Sequence, residues 1–68
     1  MNKQQIGFIQ GVVWAAAFIA HDHNEQSYAV DILKESGISK EDAAAHAAEY
    51  DLSRLRKVAI PDMPKGKE

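Results

Sequence analysis

Two histidines flank an aspartate in His21-Asp22-His23, directly after the run GFIQGVVWAAAFIA, and no other stretch groups chemically capable side chains so densely. Imidazole and carboxylate both bind zinc, but a structural site takes four ligands and a catalytic site three plus water. Neighbours one and two apart on a helix also point in divergent directions. The position suits another role, because histidines at a helix C-terminus interact favourably with the negative end of the dipole. No metal and no cofactor is therefore expected, and His46, without a sequence-near partner, reads as a surface or boundary residue. The chain has no cysteine, and Ser27, Ser36, Ser39 and Ser53 all lie outside any Gly-x-Ser-x-Gly turn. Gly7 and Gly11 fall within a helical pattern rather than after a strand, so they form no phosphate loop. No catalytic residue is assigned, and the chain reads as non-enzymatic.

Charge is distributed unevenly. Residues 21 to 51 carry eight acids against Lys34 and Lys40, whereas residues 52 to 68 carry five bases against Asp62 and Glu68, for a net charge of −2. That balance recruits neither nucleic acid nor an anionic membrane. Arg54, Arg56 and Lys57 are the only cations clustered enough to meet a phosphate. They support an alternative reading in which an oligomer sequesters a small nucleotide signal.

Side chains act only where secondary structure puts them, and the long apolar run comes first. Ile6 to Ala20 is interrupted by Gln10 and falls short of the ~20 apolar residues that a membrane-spanning helix needs. Lys3 alone makes a poor n-region for a signal peptide. A buried helix over residues 4 to 22 is expected instead. At 100° per residue, Phe8, Ile9, Val12, Val13, Ala16, Ile19 and Ala20 form one wide stripe, with Ile6 at its edge, as for a core-facing side. The opposite side carries Gly7, Gly11 and Ala15 with Trp14 and Phe18 beside them, and it too is apolar. Small residues four apart let a second backbone approach closely, and exposed aromatics mark contact surfaces. Either the other helices of the domain cover this side or a second chain does. A 68-residue chain without disulfides has little else with which to cover it. The expected interface is Gly7, Gly11, Trp14, Ala15 and Phe18, and the expected state is a homo-oligomer.

Three shorter helices follow. Asn24 is expected to cap a helix over 25 to 36, with Tyr28, Ala29, Ile32 and Leu33 on one face, and Gly37 to end it in the left-handed conformation with Ile38 packing back. Ser39 is expected to start a helix over 40 to 48, with Asp42 completing a variant capping box. Its apolar positions are all alanine, so it packs close and buries little area. Asp51 is expected to cap a helix over 52 to 58, with Leu52, Leu55 and Val58 or Ala59 inward. Pro61 opens a flexible basic tail over 61 to 68. The fold class is all-α, a three- to four-helix domain over residues 1 to 60 with a long apolar N-terminal helix.

The helix, Gly37, helix order resembles a helix-turn-helix, but Glu41, Asp42 and Glu49 on the would-be reading helix repel phosphate. The stretch ILKESGISKEDAAAHAAE is also similar in architecture to the first loop of ubiquitin-associated modules, with Ile38 where those carry an aromatic. Across residues 7 to 57, GFIQGVVWAAAFIAHDH, YAVDILKESGI and YDLSRLRK together resemble short helical accessory proteins of phages and prophages. That resemblance implies an accessory role in the cytoplasm of a bacterial host, exerted by binding and modulating a host or phage protein. It carries no active-site residue.

Overall fold

A computed structural model describes residues 2 to 58, and these form four helices, α1 (Lys3–Asp22), α2 (Gln26–Ser36), α3 (Lys40–His46) and α4 (Glu49–Val58). No described residue lies in an extended strand ladder. The expected tail over 61 to 68, and Ala59, lie outside the described residues. No helix among the described residues is long and apolar enough to cross a membrane.

Each boundary has a local chemical cause. Asn2 caps α1: its side chain accepts from Gln5 N–H at 2.8 Å while Gln5 Oε1 accepts from Asn2 N–H at 3.0 Å. This reciprocal box satisfies two of the unpaired donors at the helix start. At the other end Asn24 takes a positive φ of 54° and Glu25 N–H donates to the Ile19 carbonyl at 3.0 Å, which turns the chain back. Asparagine tolerates that conformation better than most residues. Asn24 is thus the turn and not the cap of α2, whose N-cap is Glu25 with no side-chain bond. Gly37 (φ 73°) ends α2, as its missing Cβ allows. Ser36 Oγ fastens this turn, donating to the Leu33 carbonyl at 2.7 Å and accepting from Ile38 N–H at 3.2 Å. Ser39 Oγ then accepts from Asp42 N–H at 3.1 Å to start α3.

The last two helices depart from the expected bounds. α3 stops at His46 because Ala47 is extended, and α4 begins at Glu49, with Asp51 and Leu52 N–H both donating to the Ala48 carbonyl. Asp51 therefore lies inside α4 and is 8% exposed, not a solvent-facing cap. The reason is its partner, since Arg54 one turn on gives the buried carboxylate a counter-charge.

α2, α3 and α4 each pack against α1, which makes α1 the common wall of the bundle. Its buried residues are Ile9, Val13, Ala16, Ala17 and Ala20, and they meet Ala29, Ala43, Ala47, Leu52 and Leu55, with Ile32, Leu33, Ile38 and Val58 half-buried around them. Alanine on alanine lets helix axes approach closely, so the core is shallow but dense. The inward face is turned relative to the expected stripe: Ala17 is buried while Phe8 is 54% exposed. The small residues admit three neighbouring helices on one side, which buries Ile9 and leaves Phe8 at the rim beside the Gly37 turn. Tyr28, expected inward, is also exposed, because Ala29 takes the contact with α1.

Candidate interface on the first helix

The side of α1 turned away from the bundle is the molecule's most unusual surface. Gly7 and Gly11 are exposed there, and a Cβ built on either meets nothing within 4 Å. Trp14 is 54% exposed and stacks on Phe18 one turn later, with ring centroids 5.4 Å apart and planes within 7°. The Phe18 ring in turn meets His23 edge-on at 4.8 Å. Trp14, Phe18 and His23 thus form one contiguous ladder of rings along the end of α1. Ala15 is half-buried at its side. From Gln4 to Ala20 the helix carries no charge, and Gln4 and Gln10 are its polar side chains on and beside this surface. The five expected interface residues Gly7, Gly11, Trp14, Ala15 and Phe18 do share this side, and no described element covers it.

Grooves run along both edges. Gly11 and Trp14 form one wall of a groove of about 490 Å³ whose other wall is the α3–α4 junction at His46, Ala47, Ala48 and Asp51. Gln10 Nε2 reaches across to the His46 carbonyl at 3.1 Å and fixes the distance between the walls. On the other edge Phe8 lies over a groove of about 330 Å³ with Ile38 and the Gly37 turn. Sequence reasoning placed Phe8 in the core. A helix with apolar residues on both sides gives no strong signal for its rotation, so no sequence feature separates Phe8 from Ile9.

The basic cluster is dispersed. Arg54 Nη2 bonds Asp51 Oδ1 at 3.2 Å, its Nη1 lies 3.6 Å from Asp22 Oδ1, and its guanidinium covers the Tyr50 ring at 4.9 Å. With its side chain only 11% exposed, Arg54 ties α4 to the last turn of α1 and its Nε is buried without a hydrogen-bond partner. Arg56 bonds Glu49 across two turns of α4, and Lys57 is exposed. Two residues apart on a helix, the two guanidinium groups point in different directions. Asp51 and Arg54, three apart, carried the signal for this link in the sequence.

The histidines also diverge. His21 Nδ1 lies 2.8 Å from Asp22 Oδ1, while His23 is turned to Phe18. The hydrogen bond from His21 is the main cause that holds the Asp22 carboxyl below the ordinary carboxylate range. Desolvation opposes it, and the nearby charges, that of Arg54 first, add to the lowering. Among the described residues no three or more metal-ligating side chains gather in one place. His46 is half-buried on α3.

No protein-family model matches this chain, and neither does any curated protein or solved structure.

Proposed function

We propose that this chain is a non-enzymatic binding protein that works as a homo-oligomer and modulates a larger host or phage protein in the cytoplasm of a bacterial host. The observation that carries this reading is the charge-free outer side of α1, where an ordered Trp14–Phe18 stack stands beside two glycines with open space over them. Burying such a surface gains roughly 25 cal/mol for each Å² of apolar area removed from water. A shallow core built on alanines makes the same burial a gain in fold stability. The acidic surface of α3, with Glu41 exposed, is the second contact surface in this reading. Nucleotide sequestration draws no support from the geometry, because Arg54 and Arg56 already hold carboxylates. DNA reading draws none either, because α3 is a seven-residue helix with Glu41 and Asp42 in its first turn.

Sedimentation velocity at tens of micromolar tests the proposal. A self-associated species that Trp14→Ala weakens is the expected result, and a strict monomer overturns it.

A further inference from the structure

Along α1 the small, large and charged residues of the outer side stand at mirrored distances from one level, that between Val12 and Val13. Gly7 and Phe18 are equidistant from it, as are Gly11 and Trp14, and as are Lys3 and Asp22 at the two ends of the helix. We propose that two copies of this chain pair antiparallel through α1 on a twofold axis at that level. This rests on the self-association reading above and names the geometry by which it is satisfied.

A twofold axis perpendicular to the helix sets each residue level with its mirror-related residue on the partner. Phe18 of one copy then stands over Gly7 of the other, and Trp14 over Gly11. Each ring meets a position where a Cβ has nothing within 4 Å, which is the room a large side chain needs to seat between two helices. The rings are half-exposed or partly covered in the single chain and already stacked on one another, so they enter the contact as one rigid ridge.

Charge selects the direction and the register. Parallel pairing brings Lys3 beside Lys3, Asp22 beside Asp22, and like ends of two helix dipoles together. Antiparallel pairing brings Lys3 and the positive end of one helix to Asp22 and the negative end of the other. Between those ends α1 is uncharged, so no ion pair favours another register. Sliding one helix by a turn separates Lys3 from Asp22 and leaves at least one ring without a glycine opposite it.

The natural absence of cysteine makes single-cysteine variants a direct test. In this pairing two copies of residue 11 lie close enough for a disulfide, whose Cα atoms stand about 4.4 to 6.8 Å apart. Two copies of residue 7 lie about 16 Å apart along the axis. Under mild oxidation Gly11→Cys is expected to link to itself and Gly7→Cys is not, while a mixture of Gly7→Cys with Phe18→Cys yields a linked heterodimer. Self-linking of Gly7→Cys as fast as Gly11→Cys overturns the arrangement. As a second distance, read away from the ring-to-glycine contacts, nitroxide labels on Gln4→Cys are expected about 26 Å apart along the axis, and a separation under half that value overturns it. A dimer with the wrong linkage pattern defeats only this geometry, whereas a strict monomer in sedimentation defeats the self-association reading as well. Truncation after Val58 addresses the remaining occupant, the chain's own C-terminal segment. Unchanged dimerisation and Trp14 emission support the pairing; a monomeric full-length chain whose Trp14 emission shifts to the red on truncation overturns it.

Discussion

Arg54 of α4 stands 3.6 Å from Asp22 in the last turn of α1, and through this pair the first and last helices are joined by charge as well as by packing. The same guanidinium holds Asp51 at 3.2 Å, a carboxylate on a residue only 8% exposed. Arg54→Ala leaves the buried Asp51 carboxylate without its counter-charge and is expected to cost about 2 to 4 kcal/mol in chemical denaturation. The double variant Asp51→Ala with Arg54→Ala is expected to cost less than the two single changes together, because removing both charges leaves nothing unpaired.

Acid is expected to loosen the same link. The Asp22 carboxyl is held below its ordinary range, chiefly by the His21 hydrogen bond and then by the charge of Arg54. A lowered carboxylate pKa contributes stability that is complete above the unfolded value and is lost as pH falls through the folded one. The melting-temperature gap between wild type and Asp22→Asn is therefore expected to be constant near neutrality and to close below about pH 4. A gap that widens on acidification contradicts the assignment.

Core and helix-end residues are expected to separate by size of effect. Val13 is fully buried on the inner side of α1, so Val13→Ala is expected to cost roughly 1 to 4 kcal/mol in lost burial and residual cavity. His21→Gln and His23→Gln are each expected to change stability by no more than ~1 kcal/mol, the range of a dipole contribution. Thermal melts with zinc and with a chelator should coincide for the wild type; unfolding on chelation would identify a metal site in place of a helix terminus.

The glycines of α1 and of the α2 turn should respond in opposite senses. Gly37→Ala is expected to destabilise by about 1 to 2 kcal/mol from backbone strain alone, since its φ is 73° and no neighbour lies within 4 Å. Gly7→Ala, in an open helical position, is expected to stabilise the single chain by up to ~1 kcal/mol.

Gly11→Leu offers the sharpest separation of fold from assembly. Open space around Gly11 in the single chain means the leucine fits and helix propensity rises. If a second backbone approaches there, the same side chain blocks it. The expected outcome is a chain that melts no lower than the wild type at low concentration yet sediments as a monomer. A variant that assembles as well as the wild type places the contact elsewhere.

Four helices were legible in the sequence because their limits are set by groups within a few residues of one another. Ser39 finds the Asp42 amide three residues on, and Gly37 supplies a positive φ without any neighbour's help. The inventory of α1's outer side, Gly7, Gly11, Trp14, Ala15 and Phe18, follows from helical spacing for the same reason. What needed the tertiary structure was everything decided by distant elements. α1 carries apolar residues on both sides, so its rotation was set by where α2, α3 and α4 could approach closely, and they took the alanine side, turning Phe8 outward. Asp51 and Arg54 stand one turn apart on α4 and can be read together, but that Arg54 also reaches Asp22 was decided by the packing of α4 against the end of α1. Local hydrogen bonds are short-range and readable from adjacent letters, whereas burial and ion pairing belong to pairs of segments, and only the packed chain says which pairs meet.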